Sequence, residues 1–228
     1  MCFSAEASFV SAGVLIPAGV HCTRLALRKD RSLWPYAAIP IGLGVQQAFE
    51  GLVWVGLNHG QEWLVQSAAR FYLLFVFAFW PLWISFVAVT AEKDPRRRKW
   101  CRRIAGANTL WFLAAYLPFV LFADFKVRTA EGSIRYENVD ELIGWIFRLL
   151  YFLSAAIPLL ITERWRLFRP VIVLAAVACV VSATAYERAF TSAWCFFSAL
   201  LSGWIWWQML KTPAGELRAT SATKRAAG

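Results

Sequence analysis

The sequence predicts an all-α fold: a seven-transmembrane helix bundle with its N-terminus outside the cell and its C-terminus in the cytoplasm. Three observations predict it. Of 228 residues, 59% are hydrophobic and only 17% are charged, whereas a soluble domain carries about 25% charged residues. The apolar residues gather into seven runs, at about 5–27, 33–57, 64–91, 104–125, 142–162, 170–186 and 189–210. Each is near the ~20 residues that a helix needs to cross hydrocarbon. The stretches between runs alternate in charge. On one side lie Arg28, Lys29 and Arg31, then Lys93, Arg96–Lys99, Arg102 and Arg103, then Arg164, Arg166 and Arg169, then Lys211, Arg218, Lys224 and Arg225. The other side holds only Lys126, Arg128, Arg135 and Arg188. Cytoplasmic loops collect Lys and Arg, so the first side is cytoplasmic, and dropping one span would put a basic loop outside.

The spans read as helices because backbone groups in lipid must be paired within a segment or in a closed barrel. The runs are too long and too evenly apolar for barrel strands. The first begins without the positive region of a secretory signal, so it belongs to the mature protein. Its small residues Ser4, Ala5, Ala7, Ser8, Ser11, Ala12 and Gly13 predict close helix contact and a place inside the bundle, with Glu6 facing protein. Pro35, Pro40, Pro81, Pro118 and Pro158 fall in later runs, as membrane helices tolerate. A polar loop follows the fourth run at about 126–141 and carries Glu131, Glu137, Asp140 and Glu141. Only Tyr186, Glu187 and Arg188 divide the sixth run from the seventh. At the inner end of the seventh, Trp204, Trp206 and Trp207 read as an interfacial belt. One membrane domain therefore covers 1–211, with a flexible cytoplasmic tail at 212–228.

The formal charge of +10 would suggest a nucleic-acid partner in a soluble chain. Here the cations sit in short loops and mark topology, so the expected partner is the lipid bilayer and no nucleic acid is expected. Five scattered cysteines show neither C-x-x-C nor zinc spacing. Only Cys2 and Cys195 fall near the oxidising face, so only they could bridge.

Ionisable residues inside spans are costly and suggest function. Gln46, Gln47, Glu50 and Trp54 share one face of the second span. Glu50 lies about 10 Å below the outer end, at about 1.5 Å per residue. Arg70 in the third span and Arg148 in the fifth lie at similar depth, and Glu6 and Tyr151 fall in the same outer layer. The inner halves are nearly pure hydrocarbon. Glu6, Gln46, Gln47, Glu50, Trp54, Arg70, Arg148 and Tyr151 thus form the candidate ligand-binding set. Cys2, Glu6, Glu50 and His59 form a mixed donor set that would suit a transition metal.

Two resemblances bear on this. The opening Met1-Cys2-Phe3-Ser4-Ala5-Glu6-Ala7-Ser8-Phe9, with Gln46-Gln47-Ala48-Phe49-Glu50-Gly51 and Trp54, resembles an uncharacterised family of bacterial multi-pass membrane proteins that begin Met-Cys-Phe-Ser. That resemblance implies the membrane topology, points to the same two segments and supplies no activity; the expected location is the bacterial inner membrane. In topology alone the chain is similar to the alkaline ceramidase and adiponectin-receptor superfamily. Those enzymes hold zinc with three histidines. This chain has only His21 and His59, on opposite sides, so the zinc site does not carry over.

Three functions stay open. The first is an outward-facing site for a small ligand or ion, as in a sensor or transporter. The second is a membrane enzyme on a lipophilic substrate, possessing Glu50 as acid/base or metal ligand. The third is a partner subunit in which the polar layer only locks helix packing.

Overall fold

The computed structural model describes residues 4–117, 126–130, 132–137, 145–185 and 190–211. The structure is mostly helical. Helix α1 (Ala5–Lys29) is capped by Ser4, whose Oγ accepts from the Ala7 amide at 3.2 Å. It ends at Asp30, whose carboxylate accepts from the Ser32 amide and hydroxyl and so shapes a 3-10 turn at Arg31–Leu33. The second apolar run then forms two helices, α2 (Trp34–Ala37) and α3 (Ile39–Asn58). Pro35 and Pro40 stand in their first turns, where a missing N–H removes no helical bond.

The third run is α4 (Glu62–Leu74) and α5 (Trp80–Ala91), joined without a break by a π-helical turn at Phe75–Phe79. Helix α6 (Pro95–Trp111) starts well before its apolar run because Asp94 caps it, its Oδ1 accepting from the Arg97 amide at 2.8 Å, and Pro95 follows at the first helical position. A second π turn, Phe112–Tyr116, extends it. Helices α7 (Trp145–Ile161), α8 (Trp165–Ala185) and α9 (Phe190–Lys211) match the last three runs.

The polar loop expected after the fourth run is instead, in its described part, an antiparallel hairpin. Strand β1 (Lys126–Ala130) pairs with β2 (Ser133–Glu137), with Val127 opposite Tyr136 and Ala130 opposite Ser133. Gly132 closes it at φ 73°, in the left-handed region open to glycine. A lone two-stranded hairpin is marginal in water. This one buries Ile134 and Tyr136 against Val53, Trp54, Val65 and Tyr72, and the Tyr72 and Tyr136 rings stack at 5.5 Å.

The bundle has two ends. The hairpin lies at one, with the α3–α4 turn. The other, the basic end, joins the turns after α1, α5 and α7 to the end of α9. Its core holds Cys22, Leu33, Tyr36, Phe168, Ile205 and Met209. Among the described residues, Ala5–Lys29 and Glu62–Ala91 are helices long and apolar enough to cross a membrane. Residues 186–189 between the sixth and seventh runs, Asp124, and the tail from 212 lie outside the described residues.

Candidate functional site

The site begins with how closely α1 and α3 pack. A Cβ added at Gly19 would come within 2.6 Å of the Ile41 backbone nitrogen, and one at Gly44 within 3.1 Å of the Ile16 nitrogen. At Gly51 it would meet the Phe9 ring at 2.9 Å. Glycines allow such close approach of two helices because they carry no side chain to hold the backbones apart. The three contacts fix α1 and α3 as antiparallel, and their register places Ser8 and Ser11 on either side of the level of Glu50. On the other flank, Gly56 meets Val65 and the Phe49 ring stacks on Phe71 at 4.9 Å. That register places Arg70 of α4 at the level of Glu50 and Gly51.

Gln46, Gln47 and Glu50 are therefore a polar face turned into the bundle: each is buried, Glu50 to 1% exposure. The Trp80 indole N–H donates to Gln46 Oε1 at 3.0 Å, which ties this face to α5. Trp54 is buried one turn beyond Glu50, in the cluster that receives the hairpin. Ser8 is fully buried and its hydroxyl has no hydrogen-bond partner, while the Ser11 hydroxyl donates back to the Ala7 carbonyl at 2.8 Å. The carboxyl of Glu50, with the Ser8 hydroxyl near its level and the Gln46 and Gln47 carboxamides a turn away, offers groups that can hydrogen-bond or coordinate a small guest.

Other expected residues fall elsewhere. Glu6 is exposed, one position round the helix from buried Ala5, so it does not face the bundle interior as its small neighbours suggested. His59 is exposed at the end of α3. Arg70 is half-buried. The Tyr151 hydroxyl donates to the Phe75 carbonyl at 3.3 Å, so Tyr151 ties α7 to the π turn between α4 and α5. Arg148 lies on α7 and Cys195 on α9, but both side chains, with all of Cys2, lie outside the described residues. The metal set is thus split between a buried Glu50 and exposed Glu6 and His59. Among the described residues, no three His, Cys, Asp or Glu side chains meet to hold a metal.

Two polar centres escaped the sequence reading. In mid-bundle, Asn108 Nδ2 lies 2.8 Å from Ser85 Oγ and 3.2 Å from the Pro81 and Ser154 carbonyls, joining α5, α6 and α7. An Asn inside an apolar run was the available signal. At the basic end, expected to be plain hydrocarbon beneath a charged loop, Arg164 Nη2 meets Asp30 Oδ2 at 2.7 Å with both side chains nearly buried. Burial alone would push the Asp30 carboxyl up, but hydrogen bonds from Ser32 and Arg164 and the Arg164 charge outweigh it and hold it below the usual range. Glu92, also buried, accepts from the amides of Lys93, Asp94 and Glu163, each at 2.7 Å. Lys29 Nζ donates to the Met209 carbonyl at 2.7 Å. The Tyr36 hydroxyl donates to Gln208 Oε1 at 2.7 Å, and Gln208 Nε2 donates to the Leu167 carbonyl at 2.9 Å. These bonds close the basic end.

No curated protein and no solved structure matches the chain. A family of unknown function (DUF6629) has a model that matches residues 1–220, and the chain belongs to that family.

Proposed function

We propose that this chain is a seven-span integral protein of the bacterial inner membrane, N-terminus outside, that binds a small ligand or ion at an outward-facing polar site built on Glu50. The carrying observation is the buried Gln46–Gln47–Glu50 face of α3, with the unpartnered Ser8 hydroxyl near the level of Glu50. Glu50 is a carboxyl buried deep within an apolar helix, and intramembrane carboxylates mark ligand and ion sites.

The membrane reading draws support from the bundle surface. Helix α7 exposes Leu149, Leu150, Leu153, Ile157 and Leu160, and α8 exposes Val173, Leu174, Val177 and Val180. Stripes at helical spacing on neighbouring helices make an apolar surface that water would not tolerate. The charge asymmetry between the two ends supports the orientation. An outward opening draws support from Glu50, which lies nearer the hairpin end of the bundle, and from the buried bonds at the basic end.

The test compares the detergent-purified parent with Glu50→Gln across a panel of inorganic cations, anions, amines and zwitterions, read by thermal unfolding. A ligand at about a hundred times its Kd stabilises by about 2.7 kcal/mol. The expected result is a shift in the parent and none in an equally stable Glu50→Gln protein. A variant that unfolds early, beside a parent that no compound stabilises, would instead make Glu50 a packing residue.

A further inference from the structure

We propose that the outward face of α6, Arg96, Lys99, Trp100 and Arg103, is a docking site for anionic phospholipids of the surrounding bilayer, a proposal that rests on the membrane reading above. The basic stretch before the fourth apolar run is a rigid part of the helix, fixed by the Asp94 cap. Two contacts set which way it faces. Cys101 is buried, with its thiol 3.7 Å from the Pro158 carbonyl, and Arg97 Nη1 donates to the Ile161 carbonyl at 3.3 Å. Both hold α6 against α7. Residues 96, 99, 100 and 103 recur at helical spacing on the exposed side.

That face has the layered chemistry of a phospholipid. It starts with cations, and α6 contains no Asp or Glu to neutralise them. Of the nearest acids, Glu92 is buried on amides and Asp94 caps the helix. The Arg103 guanidinium lies 4.6 Å over the Trp100 ring, which leaves its N–H edge free for phosphate oxygens. Trp100 is 56% exposed, and indoles favour the headgroup level. The same exposed side then continues through Gly106, where an added Cβ would meet nothing within 4 Å, and Ala107, to Leu110, Leu113 and Leu117. An acyl chain can run along this groove-like stripe below its headgroup. A nucleic acid would match the cations and leave the leucines in water.

The test uses the full-length protein in nanodiscs or mixed micelles and measures competition between phosphatidylglycerol and phosphatidylcholine by native mass spectrometry. The parent is expected to retain phosphatidylglycerol in preference. Arg96→Gln/Lys99→Gln/Arg103→Gln is expected to lose that preference, by roughly five-fold per cation removed at low salt. Arg24→Gln/Arg28→Gln/Arg31→Gln, with the same charge loss at the same end, is expected to keep it. Inorganic phosphate should not displace the lipid, because the acyl stripe contributes to binding. Equal loss in both triple variants, displacement by phosphate, or tighter binding of an oligonucleotide than of the lipid would each overturn the proposal. A protein that stays in the membrane through alkaline carbonate and shows no lipid preference sinks this proposal alone. A protein extracted by carbonate sinks the membrane reading as well.

Discussion

Arg164 shows what one residue does when the chain folds. In the sequence it is one more cation in a basic loop; in the structure its guanidinium is buried against Asp30. Nothing local announces this, because the partner lies far away in sequence and the pair forms only when the turns after α1 and α7 meet. Asp30→Asn leaves a buried guanidinium without its counter-charge. The expected cost is about 3 kcal/mol, the low end for breaking a buried pair, since the rim of Asp30 reaches solvent. Asp30→Asn/Arg164→Gln should recover part of it, read as a double-mutant cycle in thermal or denaturant unfolding. The pH dependence has a definite sign. The carboxyl is held low in the folded protein, so its contribution is fully present above the unfolded value of 3.8 and is lost as pH falls through the folded one. The parent should therefore lose stability on acidification below that value, with a steeper acid limb than Asp30→Asn. Equal limbs would mean that the pair contributes nothing to folding.

At the scale of elements, the helices were legible and their junctions were not. Long, evenly apolar runs mark where the helices form, since strands are shorter and alternate in polarity. Breaks and extensions follow local chemistry instead: Pro40 restarts a helix, Asp94 starts one early and Gly132 closes a hairpin. The polar face of α3 could be read from its spacing. Its neighbours could not, since the α1–α3 register rests on Gly19, Gly44 and Gly51, which look alike in sequence to Gly13. Gly44→Val and Gly13→Val separate these roles. A Cβ at Gly44 meets the Ile16 backbone, while one at Gly13 meets nothing within 4 Å. Gly44→Val should cost about 2 kcal/mol, as overpacked contacts do, and should also weaken any ligand response that depends on Glu50. Gly13→Val should change unfolding little. If both variants behave alike, the close approach of α1 and α3 is not what positions the site.

The molecule as a whole is asymmetric along its axis. Buried bonds between turns draw Asp30, Glu92, Arg164 and the end of α9 into one closed layer, and exposed cations surround it. The hairpin end holds few cations, and its described cover is a two-stranded ribbon resting on aromatic rings. The orientation proposed for the molecule is tested by reporter fusions at matched points. Alkaline phosphatase inserted at Gly60 or Gly132, both at left-handed turns, should be active, and green fluorescent protein there should stay dark. The pattern should reverse for fusions after Asp94, Glu163 and Lys211. While the fusion after Lys211 tests the division of the sixth run from the seventh, the fusion at Glu163 is the sharpest test of orientation, because it adjoins Arg164 of the closed layer. Phosphatase activity there would place the Asp30–Arg164 layer on the outer face and turn the Glu50 face toward the cytoplasm.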